Sequence, residues 1–376
     1  MPVINRIADF HAEATEWRQD LHAHPELLFD VHRTAAIVAE KLQEFGVDEV
    51  TTGIGRTGVV GVIKGRSTDS GKIIGLRADM DALPINEVRD LPYKSENAGL
   101  MHACGHDGHT AMLLAAAKYL TETRNFDGTA VVIFQPAEEG GGGGDEMVKD
   151  GLMDRWGIQE VYGMHNAPNV PVGAFALRTG PLLAAADQFN ITIEGVGGHA
   201  ARPHECVDPV PIAAQLITAF QTIVSRDTDP LASLVISTTR MQASDAHNII
   251  PQTVTLNGTV RTLSAETRDL AERRMSEICS NMGGAFNAKI TLDYNRGYPV
   301  TVNHPDQTDF AARIARDVAG ETMVDDSIDP IMGAEDFSYM LEARPGAFVF
   351  IGQGDGPICH HPEYDFNDEI IPIGAT

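Results

Sequence analysis

The fold of this chain is decided by Val131-Val132-Ile133-Phe134-Gln135-Pro136-Ala137-Glu138-Glu139-Gly140, where a short apolar run ends in polar residues and glycine. Continuous apolar runs of this length are typical of strands that are buried on both faces of a parallel sheet. Similar runs lie at 59–63, 73–76 and 348–351, and a helix-like stretch at 110–123 separates two of them. This alternation predicts an α/β fold with a mostly parallel sheet and helices on both faces.

Ionisable side chains directly follow three of the predicted strands. They are Asp79 and Asp81, Glu138 and Glu139, and His165. In open α/β sheets, ligands collect beyond the carboxyl ends of the strands. We therefore expect these side chains to meet at one edge of the sheet.

The order of the predicted elements changes between residues 186 and 296. Strands and helices follow one another there as β-α-β-β-α-β, at 189–195, 207–226, 233–241, 253–262, 265–284 and 289–295. This is the ferredoxin-like order, which forms a self-contained α+β unit. Because strand-like sequence resumes afterwards, we expect an inserted domain at 186–296, with 1–185 and 297–376 forming the domain into which it is inserted.

Composition and charge limit the classes of partner. Apolar residues make up 43% and charged residues 22% of the 376 residues, as in globular proteins. The 53 acidic residues outnumber the 28 Lys and Arg, and the net charge of −25 argues against nucleic acid. No apolar run approaches the roughly 18 residues of a membrane span, and the first residues lack the apolar core of a signal peptide. We expect a cytoplasmic protein that binds neither nucleic acid nor membrane.

Thiol, imidazole and carboxylate groups cluster in short motifs, which are Met101-His102-Ala103-Cys104-Gly105-His106-Asp107-Gly108-His109, Gly163-Met164-His165-Asn166 and Cys359-His360-His361-Pro362. Mixed sets of these donors suit Zn and its first-row neighbours far better than Mg or Ca. Cys104 and His106 are two residues apart, so both project to one side if the segment is extended, and the helical pattern begins only near Gly108. Of the adjacent Glu138 and Glu139, one can ligate a metal while the other moves protons.

Other interpretations of these residues are weaker. A lone cysteine is usually a small buried apolar residue, and Cys104 acting as a nucleophile with a histidine base would leave the two glutamates without a task. The glycines at 140–144 and the stretch at 53–58 resemble phosphate-binding loops. The first has no following Lys-Ser/Thr and the second precedes a strand, so both are expected to be flexible loops.

With these motifs the chain resembles the M20 metallopeptidase family, and within it the amidohydrolase branch of hippurate hydrolase and auxin-conjugate hydrolase type. The resemblance spans nearly the whole chain. Besides the motifs quoted above it rests on Leu76-Arg77-Ala78-Asp79-Met80-Asp81-Ala82-Leu83-Pro84, Gly197-Gly198-His199-Ala200-Ala201-Arg202-Pro203-His204 and Gly333-Ala334-Glu335-Asp336-Phe337-Ser338.

The resemblance implies a site for two divalent metal ions, with Zn, Mn, Co and Ni as candidates. Its implied ligands are Cys104, His106, Glu139, His165 and His360. Glu138 would be the general base, and Asp81 would orient a ligand. Alignment with the family's signature favours His360 over its neighbour His361, and the choice between them stays open. Asp79 stands where other branches have a metal-binding histidine.

The segment 186–296 resembles the family's lid and dimerisation domain, in which a histidine of one subunit helps to hold the oxyanion in the other. Here that histidine would be His199. Asn248 and Arg261 fall where relatives bind the carboxylate of the substrate, and Arg is suited to a bidentate grip. The resemblance thus implies a homodimer or homotetramer formed through this domain.

The activity implied by the resemblance is hydrolysis of the amide bond of N-acyl amino acids that are like hippurate or N-acetyl amino acids. Water activated by the metal ions would attack, with Glu138 acting first as base and then as acid. Two alternatives stay open. The first is a dipeptidase or carboxypeptidase of the same family, and the second is a catalytically silent metal-binding protein, which would be expected to lack the uncoordinated glutamate.

Overall fold

The structure, a computed structural model, describes residues 3–376. Its α-helices are α1 (Asn5–Asp9), α2 (His11–Ala23), α3 (His32–Phe45), α4 (His106–Thr123), α5 (Gly143–Lys149), α6 (Leu152–Arg155), α7 (Pro209–Thr222), α8 (Ala265–Phe286), α9 (Pro305–Ala319), α10 (Ser338–Ala343) and α11 (Ile371–Gly374). Its strands are β1 (Glu49–Ile54), β2 (Gly58–Lys64), β3 (Ile73–Asp79), β4 (Thr129–Gln135), β5 (Glu160–Pro168), β6 (Phe175–Ala176), β7 (Gly180–Leu183), β8 (Ala185–Glu194), β9 (Gly198–His199), β10 (Leu234–Gln242), β11 (Ile249–Ile250), β12 (Thr253–Thr262), β13 (Lys289–Arg296), β14 (Thr301–Asn303), β15 (Val324–Asp325) and β16 (Gly346–Gly354). Short helical turns lie at Pro203–Glu205, Ile223–Asp227, Glu321–Met323 and Asp368–Ile370.

The chain forms two compact units, each with its own hydrophobic core. The first unit contains the chain up to Gly180 together with Val302–Asp329 and Asp336–Thr376, and the second contains Pro181–Thr301 and Pro330–Glu335. The division into 1–185 with 297–376 and 186–296 stays a prediction about functional domains. Nothing in the sequence indicates that Pro330–Glu335 joins the second unit.

The first unit is built on an eight-stranded sheet with the strand order β1-β2-β4-β3-β5-β16-β6-β15. Its centre is parallel, because β3 pairs with β4 and β5, and β5 pairs with β16, all in parallel. The pairs β1–β2, β2–β4 and β16–β6 are antiparallel. The prediction of a mostly parallel sheet is confirmed, and antiparallel strands extend it on either side.

Burial explains why the strands of this sheet are continuously apolar. Val131, Val132, Ile133 and Phe134 of β4 are each 0% exposed, so neither face of the strand meets water. A polar side chain on such a strand needs a hydrogen-bond partner inside the protein. Gln135, at the end of β4, is polar and buried, and it has such partners in the site described below.

The second unit contains a four-stranded antiparallel sheet with the order β10-β12-β8-β13. Along the chain the elements run β8, α7, β10, β12, α8 and β13, which confirms the predicted ferredoxin-like pattern. Burial alternates along β8, because one face of the sheet packs on the core and the other does not. Phe189, Ile191 and Ile193 of β8 pack with Leu216 of α7 and Met275 of α8.

Several local predictions were wrong. Helix α4 begins at His106 and not near Gly108, so Cys104 and His106 do not lie on one extended segment. The glycines Gly143 and Gly144 open α5 and are not part of a flexible loop. In both places glycine serves close packing: a Cβ on Gly108 would meet the Phe366 ring at 2.3 Å, and one on Gly143 would meet a backbone oxygen at 1.7 Å.

His165 lies inside β5, and not after a strand as predicted. Within residues 3–376, none of the helices combines the length and the apolar character that crossing a membrane requires.

Candidate metal centre

The residues predicted as ligands come together in the first unit, where the central strands deliver them to one edge of the sheet. In the parallel register, Asp79 lies opposite Gln135 and Arg77 lies opposite Gly163, so the ends of β3, β4 and β5 point the same way. Three overlapping groups of ligand atoms lie within 4.8 Å of one another, namely Cys104, His106 and His165; Cys104, Glu139 and His360; and His106, Glu138 and Glu139. The five predicted ligands therefore surround one small volume beside Glu138.

The contacts of Glu139 inside this cluster are not ordinary hydrogen bonds. The distance from His106 Nε2 to Glu139 Oε1 is 3.9 Å, and that from His360 Nε2 to the same oxygen is 3.2 Å. Both ring nitrogens of His106 and Oε1 of Glu139 are buried and have no hydrogen-bond partner among residues 3–376. Because buried polar atoms are nearly always satisfied, Nε2 of His106 and Oε1 of Glu139 fit the role of metal ligands, while Nδ1 of His106 faces Asp81.

A glycine turn positions the first two ligands. Gly105, between Cys104 and His106, has a φ of 98° and caps α4. This is the left-handed region that glycine adopts without steric cost. A Cβ here would also come within 2.4 Å of the Asn166 side-chain oxygen and 2.6 Å of the Tyr364 hydroxyl. Glycine is therefore required at this position, both for its backbone angle and for space.

A strained turn positions the two glutamates. Ala137, directly before Glu138, has a φ of 55°, and a left-handed non-glycine residue costs about 1–3 kcal/mol and persists only where its surroundings impose it. The Asp81 carboxylate imposes it, since Oδ1 accepts the Glu138 N–H at 2.9 Å and Oδ2 accepts the Glu139 N–H at 3.1 Å. Oδ1 also lies 3.5 Å from Nδ1 of His106. Asp81 thus holds both glutamates and faces the second nitrogen of a proposed ligand.

The Asp79 carboxylate lies next to two histidines of α4, His106 and His109. Its Oδ1 lies 2.6 Å from His109 Nδ1, its Oδ2 accepts from Arg77 Nη1 at 2.7 Å, and Oδ2 lies 3.7 Å from His106 Nε2. Complete burial opposes ionisation of Asp79, but His106, Arg77 and His109 hold its pKa well below the usual value. The structure thus makes Asp79 a buried anion between an arginine and two histidines.

Hydrogen bonding selects the ligand nitrogen of His165. Its Nδ1 lies 2.7 Å from the Asn166 carbonyl oxygen, which requires a proton on Nδ1, while Nε2 faces Cys104 Sγ at 3.4 Å. Burial, followed by the nearby His109, lowers the pKa of His165 well below its ordinary value. His165 is therefore a neutral imidazole with its lone pair directed into the cluster, as metal binding requires.

The structure separates the two candidate histidines near the C-terminus. The His360 N–H donates to the Ala103 carbonyl at 2.7 Å, and its ring reaches Glu139. His360 adopts a φ of 67°, a left-handed angle for a non-glycine residue. In contrast, His361 Nδ1 accepts the Glu363 N–H at 3.1 Å in a local turn. The geometry therefore favours His360 as the ligand.

The three residues predicted to act from the second domain lie in the second unit. His199 pairs with Ile249 between β9 and β11, and the Ala200 N–H donates to the Asn248 carbonyl at 3.0 Å, so His199 and Asn248 are neighbours. His199 Nδ1 accepts the Ala201 N–H at 3.1 Å, which leaves the ring proton on its exposed Nε2. Arg261 is half-buried on β12, and burial lowers its pKa.

A buried hydrogen-bond network behind the ligands was missed by the sequence analysis. Asp336 accepts from Arg77 Nη2 at 3.0 Å, from Gln135 Nε2 at 2.7 Å and from the Gly144 N–H at 2.8 Å. Asn166 Oδ1 lies 2.7 Å from His109 Nε2. One signal was available, because Arg77 and Asp79 are two residues apart on a strand and so share a face.

Comparison with known proteins decides the family. The sequence pattern of peptidase family M20/M25/M40 matches residues 75–376. The chain belongs to this family. This M20 chain is 43% identical to the hippurate hydrolase of Campylobacter jejuni, over 100% of the chain and 97% of that relative. It is also 41% identical to the N-acetyl-L-cysteine deacetylase of Bacillus subtilis, over 94% of the chain and 83% of that relative.

A solved structure agrees with this assignment. The YXEP protein of Bacillus subtilis, described as a dinuclear metal binding peptidase from the M20 family, superposes with a TM-score of 0.85 at 33% identity, covering 98% of this chain and 96% of that structure. The resemblance noted in the sequence motifs is confirmed. The M20 chain is a metal-dependent amide hydrolase of the amidohydrolase branch.

Proposed function

We propose that this M20 enzyme hydrolyses the amide bond of N-acyl amino acids. The observation that carries the proposal is the convergence of two imidazoles, a thiol and a carboxylate around Glu138, with His360 closing the set. Two relatives are named for acting on hippurate and on N-acetyl-L-cysteine, which are both N-acyl amino acids. An acyl group on one side of the amide and a carboxylate on the other define this substrate class.

The donor set supports a site for two divalent ions of the first-row type, Zn, Mn, Co or Ni. We assign Cys104, His106, Glu139, His165 and His360 as the ligands. Imidazole and thiolate exclude Mg and Ca as preferred ions, and the YXEP relative is itself described as dinuclear. When bound, such ions polarise the acyl carbonyl and increase the acidity of water at the site.

Glu138 is the proposed general base. Its side chain lies with Glu139 and His106 in one group, and the residue is 7% exposed, so its carboxylate acts where little bulk water competes. It takes the proton of the attacking water and returns a proton to the departing amine nitrogen, which makes one carboxyl group base and then acid. Asp81 fixes the Glu138 backbone during both transfers.

The second unit supplies the remaining proposed roles. His199 presents a ring N–H on Nε2, a suitable donor for the oxyanion that forms on the acyl oxygen. We propose that it acts across a homodimer or homotetramer interface, with 186–296 as the lid and dimerisation domain. Asn248 and Arg261 would bind the substrate carboxylate, and no carboxylate among residues 3–376 forms an ion pair with Arg261.

We also propose a cytoplasmic location. Cys104 serves as a metal ligand only when it is reduced, since the thiolate is the ligand form of cysteine. All four cysteines are free thiols in the structure. A reducing compartment preserves this form.

A substrate panel on protein loaded with Zn, Mn or Co, with metal content measured on the same sample, tests the proposal. We expect N-benzoylglycine and N-acetyl amino acids to be cleaved, and the carboxyl-amidated analogues to be cleaved much more slowly because Arg261 loses its anion. Faster cleavage of dipeptides would favour a peptidase. Absence of hydrolysis with full metal loading would leave a silent metal-binding protein.

Glu138→Gln separates catalysis from metal binding. The variant should retain its metal and lose about 10²- to 10⁴-fold in kcat, the contribution of a general base. Glu139→Gln should lose metal, and Glu40→Gln, exposed on α3, should behave as the wild type. Near-normal turnover by metal-loaded Glu138→Gln would refute the assignment of the base.

A further inference from the structure

A second thiol lies next to the proposed ligand Cys104. Cys359 is separated from Cys104 by 255 positions in the sequence, yet its thiol donates to the Cys104 carbonyl at 3.8 Å. Asn166 Nδ2 lies 3.9 Å from the sulfur of Cys359.

The backbone places the segments that carry the two cysteines next to each other. The residue before Cys104 and the residue after Cys359 are joined by the hydrogen bond from the His360 N–H to the Ala103 carbonyl, at 2.7 Å. The contact from Cys359 Sγ to the Cys104 carbonyl oxygen, at 3.8 Å, brings the two residues side by side on these segments. A disulfide can form only between residues that the fold brings as close together as this.

Cys359 has no task in the proposed hydrolysis. Among residues 3–376, it belongs to none of the groups of three potential metal ligands, although His360 beside it does. Cys359 is half-buried and follows Ile358, which is 65% exposed, so a small oxidant can reach it. Cys104 is only 8% exposed and is sheltered behind it.

We propose that Cys359 and Cys104 form a redox modification site, in which a hydroperoxide converts the two thiols into a disulfide and withdraws Cys104 from the metal centre. The effect on the metal rests on the proposed function, whereas the disulfide itself does not. Cys359 is the peroxide-sensing thiol and Cys104 is the resolving thiol. The site would make hydrolysis by this enzyme dependent on a reducing environment.

The chemistry balances with one molecule of hydrogen peroxide. The Cys359 sulfur attacks a peroxide oxygen and the O–O bond breaks, which gives a sulfenic acid and one water. The Cys104 sulfur then attacks the sulfenic sulfur, and the S–S bond forms as the second water leaves. Two thiols are oxidised by two electrons in all, and the peroxide is reduced to two waters. A dithiol reductant reverses the change.

The first test uses metal-free protein and needs no enzymatic activity. After treatment with hydrogen peroxide and alkylation, we expect two of the four thiols to be lost and a peptide pair joined through Cys104 and Cys359 to appear in the mass spectrum. Dithiothreitol should restore both thiols. Absence of the joined peptides while thiols are lost would overturn the proposal.

The second test uses metal-loaded protein and a chromogenic chelator that reports released metal. Peroxide should release metal from the wild type, and Cys359→Ser should release it at least about tenfold more slowly, because the sheltered ligand thiol has lost its reactive neighbour. Cys359→Ala provides a second variant in case the first folds poorly. Cys206→Ser is the matched control, since Cys206 is also half-buried but lies in the second unit.

The outcomes separate this inference from the proposed function. Equal metal release from the wild type and both Cys359 variants would overturn the redox site and leave the hydrolase proposal untouched. Formation of the disulfide in a protein that hydrolyses no substrate of the panel would support the redox site and overturn the hydrolase proposal. Loss of the response in Cys206→Ser would place the sensing thiol elsewhere and contradict the inference.

Discussion

Replacing Asp81 with Asn should weaken metal binding by about 10- to 100-fold while leaving all five proposed ligands in place. The two oxygens of Asp81 accept the backbone N–H groups of Glu138 and Glu139 at 2.9 and 3.1 Å, and one of them faces His106 at 3.5 Å. Asn retains a single oxygen. Its amide NH2 must therefore face one of the two N–H donors, which loses its acceptor.

The magnitude follows from the burial of Asp81. The residue is 1% exposed, so water cannot replace the missing acceptor. A hydrogen bond to a charged group contributes about 1.5–3 kcal/mol. About 1.4 kcal/mol corresponds to a tenfold change in an equilibrium constant. If the lost hydrogen bond destabilises the metal-bound form of the site, metal binding should therefore weaken by about the same 10- to 100-fold.

The assay is a competition titration of the metal against a chromogenic chelator, with circular dichroism confirming the fold of the variant. Asp127→Asn is the control, because Asp127 also accepts a backbone N–H, that of Ser70, but does so in an exposed turn. That variant should bind metal as the wild type does. If Asp81→Asn binds metal as tightly as the wild type, Asp81 does not position the ligands.

Three further predictions concern other parts of the first unit. His22 lies between two buried carboxylates, those of Glu87 and Asp107, which raise its pKa from 6.5 to about 9 although burial lowers it. The protonated ring therefore stabilises the folded protein fully below pH 6.5, and this stabilisation is lost as the pH rises through 9. Between about pH 6 and pH 10, urea unfolding should show that the wild type loses up to about 3 kcal/mol more than His22→Gln; equal losses would contradict the pairing. Gly105→Ala should lower the free energy of unfolding by at least about 1–3 kcal/mol and weaken metal binding, whereas Gly284→Ala, where a Cβ meets nothing within 4 Å, should not. His360→Ala should lose metal in elemental analysis and His361→Ala should retain it, and the opposite result would exchange their roles.

Much of the fold was predictable because the central strands are buried on both faces. The runs at 59–63, 73–76, 131–134 and 348–351 lie within β2, β3, β4 and β16. Their position in the sheet leaves no choice but apolar residues, so the sequence carries the pattern directly. The helix start was predicted near Gly108 and lies at His106. A glycine that is required for packing cannot be told from the sequence apart from a glycine that marks a helix boundary.

The types of donor at the candidate site could also be predicted, because the thiol, the imidazoles and the paired carboxylates stand in short motifs. The way in which these donors come together could not be predicted from the sequence. Local sequence shows neither that Asp336 accepts a hydrogen bond from Arg77 nor that His360, rather than His361, turns toward Glu139. Both depend on segments that meet only after the sheet has formed.

The sequence by itself determined the α/β and ferredoxin-like patterns and the donor chemistry, because periodicity and residue type are local properties of the chain. The tertiary structure alone decided which donors share a volume, which carboxylate orients them, and that Cys359 lies against Cys104. These are contacts between residues far apart in sequence. Their distances are set by strand register and by backbone angles such as those of Gly105 and Ala137, which no short motif encodes.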